Sequence, residues 1–166
     1  MAECVITYSP LENPLGNPTF EPLPLANRLP SLKGQTILLL NNGKLTLGKT
    51  TIFTDLLKQR LEKEEVKEIL DERLLPVPEE YADLALLVPK TIKQITSGPR
   101  FDAAILGLGD SGSFSVRIVF LALELERMGI PTVGIYTEAL ALTAATVAAA
   151  SCPDLPIVTV MHPTWS

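Results

Sequence analysis

Residues 41–50 read NNGKLTLGKT, with Gly43, Gly48, Lys49 and Thr50 at the spacing G-x-x-x-x-G-K-[ST]. In that pattern consecutive backbone amides wrap a phosphate, the lysine neutralises it and the hydroxyl meets magnesium. The filling is poor for that purpose. Lys44, Leu45, Thr46 and Leu47 add no glycine, and two bulky leucines hinder the inward turning of amides. Asp110, after the apolar AAILGLG, is the candidate second carboxylate for magnesium. A nucleotide-dependent phosphotransferase is therefore one reading of this stretch.

Residues 107–115, GLGDSGSFS, carry a second set of groups. Gly109 and Gly112 let a backbone approach a ligand closely. Asp110, Ser111 and Ser113 can cap the helix that follows, and the amides at its start attract a carboxylate or phosphate. The same residues also suit an ordinary capped turn. Ser111 stands where a strand-to-helix elbow presents a nucleophile, but the surroundings are not G-x-S-x-G and such a serine needs a base. His162, the only imidazole in the chain, would have to reach across several strands to serve. Lys44 is a candidate cation, or a general acid or base if burial lowers its pKa. Asp110 and Glu138 are candidate proton carriers. Asn42, Thr137 and Arg117 are candidate ligand contacts.

These residues need a scaffold that gathers them. From Gly34 onward, apolar runs alternate with amphipathic segments. The runs at 35–42, 101–110, 131–137 and 156–162 read as buried strands, and the charged stretch 65–70 as an edge strand. The spacing predicts helices over 49–64, 81–96, 113–129 and 138–152, with Pro89 as a break or first-turn residue and Gly129 as a stop. Five strands separated by helices imply an α/β domain with a doubly wound parallel sheet, most simply in the flavodoxin-like order 2-1-3-4-5. Ligands then bind beyond the carboxyl ends of the strands, near the switch between strands 1 and 3. Residues 42–44, 107–113, 137–138 and 162 all fall at such ends.

Residues 1–34 form a different zone, an extended proline-rich arm ahead of an α/β domain at 35–166. Pro10, Pro14, Pro18, Pro22, Pro24 and Pro30 block helix, while Val5, Ile6, Tyr8, Phe20, Leu23 and Leu25 suggest that the arm lies on a surface of its own domain or of a neighbour. Glu124, Glu126, Arg117 and Arg127 sit on an otherwise apolar helix and read as surface charges or an intersubunit salt bridge. The helix at 138–152 has Glu138 as its one charge, which points to an oligomer interface.

The chain has 166 residues, 46% hydrophobic and 20% charged, which fits one globular domain. A net charge of −5 and a pI near 4.9, without any basic block, argue against nucleic acid as the main partner. No apolar run is long enough to cross a bilayer, and the first residues lack a basic start followed by an apolar stretch, so a cytoplasmic location is expected. Cys4 and Cys152 form no C-x-x-C and are too few for a Cys/His zinc site, so neither metal nor cofactor is expected.

From Gly34 onward the chain resembles the UGSC-like family, named for a motif [U/C]-G-S-C after a buried strand. ILLLNNGK is similar to that family's first strand and turn, and the segment FDAAILGLGDSGSFSVRIVFLALELERMGIPTVGIYTEAL to its signature region. On that resemblance Ser111 stands in place of the selenocysteine or cysteine and Phe114 in place of the second cysteine, while Gly112 and Ser113 remain. A hydroxyl is a far weaker nucleophile than a thiolate and has no disulfide chemistry, so thiol-redox activity is not expected. The resemblance also accounts for Gly43 and Lys44 without a nucleotide. The leading expectation is a non-redox enzyme acting by addition, elimination or hydrolysis on a small carbonyl or carboxylate compound. The alternatives are a cysteine-less binding or regulatory subunit paired with a related catalytic chain, and the P-loop reading above. Assembly with copies of itself or with a related chain is expected in either of the first two cases.

Overall fold

The computed structural model describes residues 22–41, 49–74 and 84–161. A parallel sheet has strands in the order β2-β1-β3-β4-β5. The strands are β1 (Thr36–Asn41), β2 (Glu68–Arg73), β3 (Ala103–Gly109), β4 (Thr132–Thr137) and β5 (Ile157–Val160). The helices are α1 (Lys49–Lys63), α2 (Leu84–Thr96), α3 (Gly112–Arg127) and α4 (Glu138–Ala149). This is the doubly wound α/β architecture that the alternating pattern predicts.

The apolar run of β1 is buried from Thr36 to Leu40 because both faces of the sheet are covered there. α1 leads from β1 outward to β2, whereas α2, α3 and α4 lead the other way. Right-handed crossovers therefore place α1 on one face and the other three helices on the opposite face. α3 packs between α2 and α4. Under them lies the main core: Leu38, Leu40, Ala104, Leu106 and Tyr136 from the sheet, with Ile118, Leu121 and Leu125 from α3 and Ala144 from α4. Ile37 and Leu39 alternate with Leu38 and Leu40 and so face the α1 side, where Leu61 of α1 is buried. Burying each such leucine or isoleucine contributes about 1.5–3 kcal/mol.

α3 ends as its sequence predicts. Gly129 takes φ +79°, its N–H bonds the Glu126 carbonyl at 2.9 Å, and the Ile130 N–H bonds the Leu125 carbonyl at 3.0 Å. This pair of bonds closes the orphan carbonyls of the last turn, and a left-handed residue is required to make it. Two local expectations are corrected. Pro89 is neither a break nor a first-turn residue but lies inside α2. An interior proline costs about 3 kcal/mol, and burial of Val88, Thr91 and Ile95 along one side holds the helix through it. β2 begins at Glu68 rather than at residue 65, because Glu65 takes φ 56° in the preceding turn and its carbonyl accepts the Gly34 N–H at 2.9 Å.

Residues 22–34 precede β1 without helix or strand and lie against their own domain. The Leu23 N–H bonds the Ser151 carbonyl at 2.8 Å, and Leu23 and Leu25 pack on the core. Glu126 anchors the segment. Its side chain is fully buried and pairs with Arg28, while the Ala26 N–H donates to it at 2.7 Å. The Thr132 N–H and hydroxyl donate to its other oxygen at 2.6 and 2.7 Å. Glu126 is thus an internal clamp, not the surface or intersubunit charge its sequence setting predicts. A fully buried carboxylate on an apolar helix is held only where partners surround it, and the arm supplies two of them.

Candidate functional site

The sheet order sets β1 beside β3, with Asn41 level with Gly107. β2 lies beyond β1 and β4 beyond β3, so the chain reverses direction between these two strands. Connections leaving β1 and β3 therefore diverge to opposite faces and open a crevice at the carboxyl edge. Asn42, Lys44 and His162 lie outside the described residues. So do the six residues Gly43–Gly48 of the phosphate-loop pattern, although α1 does start at Lys49, where the pattern calls for a helix.

β3 approaches this edge irregularly. Leu106 is opposite Gly134 and Gly109 opposite Tyr136, so β3 uses three steps where β4 uses two. The extra residue makes a bulge, a device that turns the end of a strand relative to its neighbour. The Gly107–Leu108 peptide within it is cis. A methyl group on Gly107 would lie 3.2 Å from Ile135 Cβ. Gly109 has a packing role of its own. A methyl group there would fall against the Tyr136 ring, 2.9 Å from Cε1, and 3.0 Å from Ser115 Oγ. Gly134 makes room for the other edge of the same ring, with Cε2 at 2.6 Å from such a methyl. The isolated glycines of β3 and β4 were the sequence signal for this close packing.

Tyr136 itself is fully buried, and its hydroxyl has no hydrogen-bond partner among the described residues. Desolvation pushes its pKa well above the ordinary phenol value.

Beyond Gly109 the polar groups converge. Asp110 is half-buried and Ser111 is the N-cap of α3, with φ −144° and ψ 153°. The Ser111 hydroxyl makes no capping bond to the helix. Its carbonyl instead accepts the Ser115 N–H at 2.9 Å and the Ser115 hydroxyl at 2.8 Å. The first turn of α3 contains no acidic residue, and a methyl group on Gly112 would meet no atom of the described residues within 4 Å. Gly112 and Ser113 are exposed. The amides that open a helix have no partner within it, and they carry the positive end of its dipole. At the neighbouring strand end, Thr137 is the buried N-cap of α4 and its hydroxyl donates to the Gly109 carbonyl at 3.3 Å. Glu138 follows as the exposed first residue of α4.

The structure therefore brings Gly109, Asp110, Ser111, Gly112, Ser113, Thr137 and Glu138 to one edge of the sheet. Arg117 lies further along α3. It is 6% exposed, between α2 and α3, and donates to Thr91 Oγ1 at 2.9 Å. Desolvation lowers its pKa. Sequence reasoning also missed the partner of Asn41, whose amide donates to Asp71 Oδ1 at 2.6 Å, with Lys58 of α1 paired to the same carboxylate. Nothing in the sequence singles out Asp71 from Glu68 and Glu72 of the same strand, and it lies beyond the stretch 65–70 read as the edge strand.

Cys152 is buried before β5, at the far edge from Ser111, and burial followed by the charge of Glu126 pushes its thiol pKa up. Among the described residues no group of three or more His, Cys, Asp or Glu side chains is placed to hold a metal ion. No helix among them is long and apolar enough to cross a membrane.

No curated protein matches the chain. The family model of the UGSC family matches residues 10–166, which takes in the described part of the arm and every strand and helix of the sheet domain. The glycine-rich turn between β3 and α3, where the resemblance lay in the sequence, is inside that match, and the chain belongs to the UGSC family.

Proposed function

We propose that the chain is a non-redox enzyme that binds a small carboxylate or carbonyl compound at the carboxyl edge of β1, β3 and β4. The observation that carries this reading is the start of α3. The Ser111 hydroxyl is not spent on capping, a methyl group on Gly112 would meet no atom of the described residues within 4 Å, and no acid occupies the first turn. A carboxylate placed there would accept amide hydrogen bonds without competing with the Ser111 hydroxyl. Lys44 would add the cation on the β1 side, and Asn42 a polar contact. Asp110 and Glu138 would move protons, one from each neighbouring strand end. Ser113 and Thr137 would complete the polar wall, and His162 would close the crevice from the β5 side. An anion cradle with a proton donor and acceptor suits addition, elimination or hydrolysis of such a compound.

The reading is tested by following small acids and 2-oxo acids by NMR in the presence of purified protein. Turnover of one of them, reduced at least about tenfold in Lys44→Ala, is the expected result. No consumption of any compound by the isolated chain would leave the enzyme reading without support.

One observation favours a second reading. Phe114, which the resemblance places at the second cysteine of the motif, is half-buried and packs on the core. That position now fills space rather than carrying a thiol. A binding or regulatory subunit that pairs with a related catalytic chain would have this character. Co-purification with a second chain carrying an intact C-G-S-C would favour it. Protection by magnesium-ATP that disappears in Lys49→Ala would instead restore the nucleotide reading.

A further inference from the structure

The outer surface of the three-helix layer differs from that of the lone helix on the other face. α1 exposes Asp55, Gln59, Arg60, Glu62 and Lys63 around an exposed Leu56, and on the other face α2 exposes Lys90 and Lys93 beside Leu86. α4 exposes Ala139, Leu142, Thr143, Ala145, Thr146 and Ala149, and after Glu138 it carries no charge at all. Leu142 is 78% exposed, Phe120 on α3 38% and Leu86 on α2 66%. Between α2 and α3 the same surface opens into a groove of about 700 Å³. Leu84, Val88, Pro89, Ile92 and Phe120 line it, and Lys93 and Glu124 stand nearer the end of the helices. One surface therefore has an apolar ridge on α4 and an apolar groove beside α2, separated by α3.

We propose that this surface joins two copies of the chain in a symmetric dimer, with the α4 ridge of each copy seated in the α2–α3 groove of the other. A ridge and a groove on one surface are what a two-fold contact requires, because each copy must offer both halves of the match. A dyad parallel to the helices, running close to α3, carries α4 onto the opposing groove and keeps its height. Leu142 is the fifth residue of α4 and Val88 the fifth of α2, and both helices start at the carboxyl edge of the sheet. Leu142 then enters the groove at the level of Val88, and Phe120 lies near the axis against its own copy. Glu124 stays toward the rim, paired with Arg127. Below Glu138, the incoming helix brings no charge to be desolvated, and the groove's own charges, Lys93 and Glu124, lie toward its end.

The area is sufficient. Helices of this length, about 20 Å long at 1.5 Å per residue and about 10 Å apart, give a face of about 600 Å². Two such faces bury about 1,200 Å², the lower bound of stable interfaces.

Sedimentation velocity over a range of concentrations tests the assignment. At about 10 µM chain the wild type should sediment as a dimer. Leu142→Arg should weaken the dimer at least about a hundredfold and yield a folded monomer, since a charge would enter a dry groove. Ala85→Trp, which fills the groove from an exposed position, should do the same from the other side. Leu56→Arg, on α1 and 58% exposed, should leave the dimer intact. A monomeric wild type would overturn the proposal. So would a dimer untouched by both Leu142→Arg and Ala85→Trp, or a surface that assembles only with a related chain.

Discussion

The two edges of the sheet use their polar groups in opposite ways. At the amino edge, Glu126 satisfies the Ala26 and Thr132 amides, the Thr132 hydroxyl and Arg28 at once. Beside it, Asp102 accepts the Thr36 N–H at 2.7 Å, and the Asp102 N–H bonds the Thr36 carbonyl at 2.8 Å. At the carboxyl edge, the N-caps of α3 and α4 make no capping bond with their side chains, and the single cross-strand bond from Thr137 is 3.3 Å long. Polar groups at the first edge hold the chain together. The start of α3 is not tied in this way, although Asn41 at the end of β1 bonds Asp71. The stabilising network and the candidate site are thus divided between the two ends of the same strands.

This division is open to attack by substitution. Glu126→Ala should have the largest effect, a loss of about 3–5 kcal/mol by chemical denaturation, because it strands buried donors and frees the arm. Arg28→Ala should cost clearly less, since Arg28 is partly exposed and the backbone donors of Glu126 remain. Equal effects would mean that the ion pair, not the buried network, anchors the arm. Gly109→Ala should cost about 1–3 kcal/mol through collision with the Tyr136 ring. A neutral result would show that the ring can move aside.

Tyr136→Phe should stabilise by about 1 kcal/mol, since it removes a buried hydroxyl that finds no partner among the described residues. The same variant has a pH signature. The folded phenol keeps its proton above pH 10, where the unfolded one loses it. The unfolded state then binds fewer protons, so stability declines as pH rises past 10. Denaturation curves on either side of that value should show the decline flattened in Tyr136→Phe. Ser111→Ala should be the smallest, under about 0.5 kcal/mol, against about 1 kcal/mol for a serine that caps its helix. A larger loss would show that the hydroxyl is structural after all.

Much of the fold could be read from residue order. The buried run of β1, the alternation with helices and the stop at Gly129 each follow from local chemistry, and the sheet order follows from crossover handedness. The bond between Arg28 and Glu126 could not be read, because 98 residues separate the partners and nothing local marks them as a pair. The interior placement of Pro89 was hidden for a related reason, since local propensity says break and tertiary burial overrules it. The β3–α3 turn was legible as a candidate site from its small and polar residues. Its bulge was only hinted at by Gly107 and Gly109, because the offset belongs to the pairing with β4 and not to β3 alone. The bond from Arg117 to Thr91 on α2 could not be read either, because 26 residues separate the two.

Calorimetric titration of acetate, pyruvate and succinate into the wild type and Gly112→Asp tests the availability of the carboxyl edge. The introduced carboxylate should leave the fold as stable or about 0.3–1 kcal/mol more so, because it sits at the positive end of α3. It should nevertheless abolish the binding of a carboxylate that the wild type accepts. Binding of equal strength in both proteins, or none in either, would contradict the assignment of that helix start as the anion site.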